Sequence, residues 1–488
     1  MTEIKLATSN VEVRENRLGS IANYIGDVQN LHDCARCGTL RDRGNCFTQA
    51  NSCANIEALV ISLARIRNVA IINHGPRGCV ANAALPYAFN RAMETAQFPN
   101  RTVYIGTDMR ESDTVFGAVE SLRETARETV RRYQPEALFI SNTCTSAIIG
   151  EDIDALVDEL KGELRIPIAA VHCEGFRSKI WATGFDVADH AVLTSGIIQP
   201  PRETRRVINF KNFRESERSR ITEMFAELDV TPQFLYCGSD VEQLSHLSES
   251  LATVTICDTL GTYLGNVLEQ QYGVPYVRTI SPLGVTGFET WFREVARLAG
   301  REEKAEAYIQ RQREIYLPQI EEIKKDFQDV ECAIGMGPGF TFEISRVLQE
   351  LGFKVIHGIS WHFDSSYDHG GEPESLRYLA ENGANFPFTV SDNQNHEQSH
   401  ILKNAQPEIY FTRHPGSSVW AVKLGIPSLF VSDEYAFFGY ARLLQTAKTI
   451  RDTLKNRSFV NALSAHVKTP YTDWWYAQNR QDFMKEVL

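Results

Sequence analysis

The regular alternation of short, continuously apolar runs with amphipathic helical stretches, from about residue 66 onward, narrows the fold of this chain more than any other feature. Runs that read as strands lie at 69–73, 137–141, 168–172, 234–237, 254–257, 276–280, 332–334, 355–359, 409–412 and 428–431. Helical stretches at 118–132, 153–160, 259–272 and 344–351 fall between them. A strand that is apolar on both faces needs cover on both, and helices linking such strands supply it, which makes the sheets parallel. The pattern predicts an α/β protein built of several doubly wound domains. With 488 residues the chain has room for about two to four such cores.

Two stretches stand outside the alternation. Residues 1 to about 30 are polar and weakly patterned and read as an arm that wraps a partner or the body. Charged helical sequence over 301–325 reads as a solvated connector at the main domain boundary, or else as a helix lying on a domain surface. The formal net charge of -12 argues against a nucleic-acid partner, because phosphate binding calls for clustered Lys and Arg. No apolar run is long enough to cross a bilayer, and Met1-Thr2-Glu3-Ile4-Lys5 lacks the basic and apolar regions of a signal peptide. A cytoplasmic location with no membrane partner is the expectation. In that compartment the chain's 10 cysteines point to metal or iron–sulfur ligation or to buried thiols, rather than to disulfides.

The cysteines are not scattered. Cys34-Ala35-Arg36-Cys37, Cys46 and Cys53 crowd a short loop that has one C-x2-C knuckle, whereas a zinc ribbon repeats it. An apolar run at helical spacing (Ile56, Leu59, Val60, Leu63, Ile66) follows, then a strand, then the turn His74-Gly75-Pro76-Arg77-Gly78-Cys79. Glycine lets such a turn pass close to a bulky group, and proline stiffens it, so Cys79 is seated rigidly at the mouth of a sheet. Cys144, Cys173 and Cys257 likewise follow strand-like runs, at the carboxyl ends where open α/β sheets bind ligands. Cys53, Cys79 and Cys144 read best as one site. Other chemistry is weaker: no G-x-x-x-x-G-K-[ST] phosphate loop is present, so the chain itself is not expected to hydrolyse ATP. Gly335-Met336-Gly337-Pro338-Gly339 departs from the dinucleotide spacing and fits close backbone approach to a bulky ligand. His396 and His400 have the i, i+4 spacing that a metal could use on a helix, but Asp392-Asn393-Gln394-Asn395 before them reads as a polar loop and a solvated surface; His362, Asp364, Asp368 and His369 line a pocket or decorate a loop.

These residues resemble a known family. The 74–79 turn, Asp113-Thr114-Val115-Phe116-Gly117, Cys144-Thr145-Ser146-Ala147-Ile148-Ile149-Gly150-Glu151-Asp152-Ile153 and Val171-His172-Cys173-Glu174-Gly175-Phe176-Arg177 are similar to the nitrogenase component 1 superfamily, on its α (D-type) side, over about 53 to about 449. The resemblance implies three doubly wound, Rossmann-like domains around a central cluster site. The expected division is 1–55 as arm and Cys-rich loop, 56–210 with the interface-cluster ligands, 211–325 with a cofactor-anchoring cysteine, and 326–488 closing the cofactor pocket. It further implies that Cys53, Cys79 and Cys144 hold this subunit's half of a P-cluster-like, eight-iron centre. Cys257 would anchor a nitrogenase-type iron–sulfur cofactor, cradled by Gly337 and Gly339. A β-type (K) subunit in an α2β2 heterotetramer and a homodimeric, ATP-dependent 4Fe-4S iron protein (H-type) are the implied partners.

The chain also departs from the family pattern. Ser432 stands where dinitrogen-reducing relatives carry the molybdenum-binding histidine, and Asp433, Glu434 and Tyr435 follow it. Trp181 and Phe185 replace the glutamine and histidine of the substrate pocket, and Tyr87 and Phe340 replace cofactor-facing arginines. An aromatic pocket favours an apolar substrate, and fewer fixed cations disfavour a cofactor that carries a polycarboxylate. The resemblance then implies an enzyme of the methylthio-alkane reductase type, cleaving C–S bonds of small thioethers, with His362, His369, Asp433 and Tyr435 as pocket or proton-delivery residues. The alternative is a scaffold for cofactor assembly (E-type). Dark-operative protochlorophyllide reductase relatives lack the cofactor cysteine, which Cys257 supplies here.

Overall fold

The computed structural model describes residues 4, 6–43, 53–81, 101–212, 216–236, 238–391 and 395–479. Its strands are β1 (Asn23–Asp27), β2 (Val69–His74), β3 (Val103–Gly106), β4 (Ala137–Asn142), β5 (Ile168–Val171), β6 (Arg205–Asn212), β7 (Thr231–Tyr236), β8 (Ser250–Thr255), β9 (Glu331–Met336), β10 (Lys354–Ser360), β11 (Pro387–Ser391), β12 (Ile409–Thr412) and β13 (Ser428–Phe430). They form three sheets, and the α/β doubly wound architecture expected from the alternation is what the chain adopts. Contacts divide the chain into a first unit (Met1–Arg17, Asn51–Thr255, Leu260–Val277) and a second (Leu18–Ala50, Ile256–Thr259, Arg278–Leu488).

In the first unit, one sheet runs β3-β2-β4-β5 with every pair parallel. The chain winds from β2 outward to β3, then returns past β2 to β4, so the winding reverses between β2 and β4. In such sheets the ligand crevice lies outside the carboxyl ends at that reversal. Both faces are apolar and covered. Ile71, Phe139 and Val171 pack with Leu59, Leu63 and Val192 on one side, while Ile72, Ile140 and Ala170 pack with Leu122, Leu156 and Leu160 on the other. The second sheet is β7-β6-β8, also parallel. Its central strand, β6, escapes the apolar pattern because Asn209 and Lys211 are buried there. Asn209 donates to the Leu247 carbonyl (3.0 Å) and Thr253 Oγ1 (3.2 Å), and Lys211 pairs with Asp189.

The second unit holds a six-stranded sheet, β1-β11-β10-β9-β12-β13, parallel except for β1, which pairs antiparallel with β11. Here the expected N-terminal arm is corrected in part. Asn23–Asp27 is an edge strand, and Val28–Arg36 is a helix whose Asp27 carboxylate accepts from Asn30 N at 2.9 Å. A short polar edge strand is held by its backbone ladder, so its side chains carry no periodic signal. The run at 276–280 is not a ladder strand. In the first unit, Tyr276 forms an isolated bridge to Thr253, through the Pro275 carbonyl and the Val277 N–H, and no named strand continues from it. The charged helix, Glu302–Lys324, packs on helices Gly284–Ala299 and Gly439–Lys455 within this unit, so it is a surface helix and not a connector.

Candidate functional site

Cys79 follows β2 and Cys144 opens the helix Cys144–Ile148 after β4, on the two strands that flank the winding reversal. Hydrogen bonds tie the two turns together. Thr143 N donates to the His74 carbonyl at 3.2 Å, and Ser146 Oγ donates to the same oxygen at 2.9 Å. Thr143 N also donates to Ser146 Oγ (2.9 Å), closing a capping box. The His74 ring is clamped between Thr107 Oγ1 (2.9 Å) and Glu151 Oε2 (2.7 Å), while Glu151 Oε1 accepts from Ala118 N. Gly75 makes this closeness possible. A Cβ there would sit 2.2 Å from Thr143 Oγ1 and 2.7 Å from Thr143 Cβ. Gly75→Ala is accordingly expected to push the Cys79 and Cys144 turns apart and lower Tm by several degrees, as a melt of the purified complex would read. An unchanged Tm would show that the turns yield freely.

Cys53 caps the helical segment that begins at Ala54, its carbonyl accepting from Ile56 N (2.9 Å) and Glu57 N (3.3 Å). The helix Thr183–Thr194 lies against this segment at Gly184, where a Cβ would meet the Ala54 carbonyl at 2.3 Å. Burial pushes the Cys53 thiol above its ordinary range, and negative charge on Cys144 adds to the shift. Burial does the same at Cys79, reinforced by Cys144 and Cys53. Cys53 and Cys79 thus both feel negative charge from neighbouring thiols, and a cationic metal body among them would relieve that repulsion. Among the described residues no group of three or more His, Cys, Asp or Glu is close enough to hold a single metal ion. Thiols that are coupled yet spread apart fit a multi-iron body better than one ion.

A buried polar network backs the site. Asn55 donates to Asn73 Oδ1 (3.3 Å) and to Cys173 Sγ (3.2 Å), Asn73 donates to the Tyr104 hydroxyl (2.8 Å), and Ser141 donates to Asn73 Oδ1 (3.0 Å). Cys173 is therefore a buried thiol beside Cys53, already engaged by an amide. Sequence reasoning passed over Asn55 and Asn73 because single asparagines carry no periodic signal.

In the second unit, buried Cys257 directly precedes the helix Asp258–Tyr272. Thr259, two residues on, accepts from Gly339 N at 3.1 Å, and a Cβ on Gly339 would approach its Oγ1 to 2.8 Å. The glycine turn after β9 therefore meets the Cys257 turn. Pro338 is the first residue of the helix Pro338–Glu350, a position whose N–H has no partner in any helix, so its missing donor costs nothing. Burial drives the Tyr367 hydroxyl's pKa far up, and the charges of Asp258, Glu374, Asp364 and Cys257 add to it, which places those groups around one tyrosine.

The remaining expected residues fall as follows. Trp181 and Phe185 are buried in the first unit, their rings edge-on at 6.0 Å. Phe340 is buried in the second unit beneath the Arg413 guanidinium, 4.4 Å from its ring centre. Arg413, just past β12, is a cation that the sequence reading missed. His362 is buried 3.6 Å from Asp364, and His369 lies 3.2 Å from Glu374, both in the loop after β10. Both Asp433 oxygens are engaged, one by Arg442 (2.6 Å) and one by Tyr435 N (3.0 Å). Tyr435 is fully buried edge-on to Phe438, and Ser432 is exposed. Tyr87 and Cys46 lie outside the described residues.

The chain is thus a doubly wound α/β protein with cysteines at the carboxyl ends of parallel strands. Residues 53–455 match the family described as Nitrogenase component 1 type Oxidoreductase, and the chain belongs to that family. Among its relatives is the nitrogenase molybdenum-iron protein alpha chain of Methanococcus maripaludis, 24% identical over 89% of this chain and 92% of the relative. The nitrogenase iron-molybdenum cofactor biosynthesis protein NifE of Bradyrhizobium diazoefficiens is also 24% identical, over 90% of this chain and 82% of the relative. A solved structure titled Nitrogenase Cp1 at pH 5 superposes with a TM-score of 0.71 over 89% of this chain and 94% of its own, at 17% identity, which speaks for the fold. No helix among the described residues is long and apolar enough to cross a membrane.

Proposed function

We propose that this chain is the α-type subunit of the catalytic component of a nitrogenase-like iron–sulfur reductase that cleaves the C–S bonds of small methylthio-alkanes. The observation that carries the reading is, in the second unit, a buried Cys257 whose turn meets the Gly339 turn, followed at 340 by a buried aromatic residue. A thioether has no charge and one weak acceptor, so aromatic walls bind it without leaving polar groups unpaired.

Cys53, Cys79 and Cys144 would hold half of an eight-iron centre, with a β-type partner supplying the other half, and Cys257 would hold an iron of a second cluster. When bound, these groups supply electron transfer and reduction, fed by an ATP-dependent 4Fe-4S iron protein. The chain's own part is positional. The His74–Thr143–Ser146 hydrogen bonds fix the distance between the Cys79 and Cys144 turns, and the Gly339–Thr259 contact fixes the backbone beside Cys257. The overall change is R–S–CH3 plus two electrons and two protons to R–H and methanethiol.

The test is anaerobic purification with the native partner, metal analysis, and an assay with iron protein, ATP and dithionite on methylthioethanol and dimethyl sulfide. Release of methanethiol by a complex holding iron without molybdenum or vanadium is the expected result. A second reading, a scaffold for cofactor assembly, is favoured by the equal identity to the cofactor biosynthesis relative and by Ser432. It predicts no turnover and a cluster that transfers to a cofactor-free nitrogenase.

A further inference from the structure

Behind the cysteine site, His172 and Glu174, just past the end of β5, and Asp154, in the helix Ile153–Leu164, form a row of three titratable side chains that the proposed reaction leaves unused. Asp154 is partly exposed, His172 is mostly buried and Glu174 is 5% exposed. His172 Nε2 lies 3.1 Å from both Asp154 oxygens and 3.3 Å from Ser9 Oγ. On the other side of the ring, Nδ1 is 3.6 Å from Glu174 Oε1, just beyond hydrogen-bond length. Glu174 Oε2 is buried and has no hydrogen-bond partner among the described residues. A buried carboxylate oxygen left without a donor is costly, and its presence needs a reason. Glu174 adjoins Cys173, whose thiol burial pushes up and which feels Glu174's charge first and Cys53's next. The row thus leads from solvent to the edge of the three-thiol site.

We propose that Asp154, His172 and Glu174 form a proton relay into the Cys53–Cys79–Cys144 site, so that each electron arriving there is accompanied by a proton. In one transfer, His172, protonated on both ring nitrogens, gives its Nδ1 proton to Glu174 Oε1 and is left neutral with its Nε2 proton; a half-turn of the ring then presents the bare nitrogen to Asp154, which passes it a proton from solvent. One proton enters, one is delivered inward, and His172 ends as it began. Negative charge arriving at the thiol site raises the proton affinity of Glu174 and draws the transfer inward. The ring is equipped for this. Burial opposes its charge, but the hydrogen bonds to Asp154 and the negative charges of Asp154 and Glu174 outweigh burial and lift its pKa to about 9. The other charged groups facing the row are Arg177, which attracts Glu174, Lys161, which attracts Asp154, and the His190 ring, which burial holds below its ordinary pKa. Arg177 also pins the row by donating to the His172 carbonyl (3.0 Å) and the Val11 carbonyl (2.7 Å).

This inference rests on the three thiols holding a redox centre, and its test separates the two. The anaerobic heterotetramer is titrated potentiometrically, and the reduction rate of its interface centre is followed, from about pH 6 to about pH 10. In the wild type the midpoint potential falls as pH rises, and the rate declines through about pH 9, where His172 loses its proton. Glu174→Gln keeps its iron and loses the pH dependence of the potential, and Glu174→Asp restores part of it. Asp154→Asn removes a carboxylate that raises the His172 pKa, so the decline in rate moves to lower pH. Identical profiles in wild type and Glu174→Gln, with iron retained, overturn the relay and leave the cluster reading intact. Should Glu174→Gln fail to assemble, the partly exposed Asp154→Asn decides: a shifted profile supports the relay and an unshifted one overturns it. A wild-type heterotetramer without iron at this site overturns both.

Discussion

A Cys79→Ala chain purified anaerobically with its partner is expected to lose most of the iron held by the three-thiol site while keeping iron at Cys257. Cys53→Ala and Cys144→Ala should behave alike. The reason is geometric and electrostatic together. The three thiols sit on turns held by the shared His74 carbonyl and by the Cys53 helix segment, and Cys144 raises the proton affinity of both Cys53 and Cys79. A methyl group offers iron no electrons. Cys257→Ala should give the reverse pattern, since that thiol lies on a different turn beside Thr259 and Gly339. Cys173→Ala is the control: its sulfur is buried and engaged by Asn55, so iron should stay and only a modest loss of stability should follow. Iron analysis by mass spectrometry with electron paramagnetic resonance of the reduced samples reads all of these. Equal iron in wild type and Cys257→Ala would remove the two-cluster assignment.

The second large effect is expected at Asp186, far from any cysteine in the sequence. Its carboxylate is buried and takes a bidentate pair of hydrogen bonds from Arg14 (2.7 Å each) and another from Arg17 NH2 (2.5 Å). Arg14 is itself only 1% exposed. Asp186→Ala would leave a buried guanidinium without its counter-charge, a loss of about 3–5 kcal/mol. For a unit of this size that corresponds to a drop in Tm of roughly 10 °C. Asp186→Asn keeps the shape and some hydrogen bonding and should cost less. The consequence reaches the site. Asp186 sits in the helix that carries Phe185 and that meets the Ala54 carbonyl at Gly184, so loosening it loosens Cys53. Calorimetry of the variant, with iron content beside it, measures both effects, and an unmoved Tm would show that the buried pair adds nothing to stability.

Much of the fold was legible because its strands are continuous apolar runs. Observed β2, β4, β5, β9, β10, β12 and β13 cover the expected runs to within two residues at either end. The strands that escaped, β1, β3, β6 and β11, are edge strands or carry polar side chains. In β6 the burial of Asn209 and Lys211 depends on Leu247, Thr253 and Asp189, partners 22 to 44 residues away. Periodicity reports local apolar spacing, and it says nothing about a polar group that finds its partner elsewhere.

The sequence by itself determined that the sheets would be parallel and helix-covered, and that Cys79, Cys144 and Cys257 would follow strands, since both facts are written in the spacing of neighbouring residues. Only the tertiary structure decided that β2 and β4 are adjacent, so that two of those cysteines share a crevice. It alone placed Arg413 on Phe340, Gly339 on Thr259, and His172 between Asp154 and Glu174. These contacts join residues that lie apart along the chain, and the free energy that selects them comes from desolvating and pairing charged and polar groups in three dimensions.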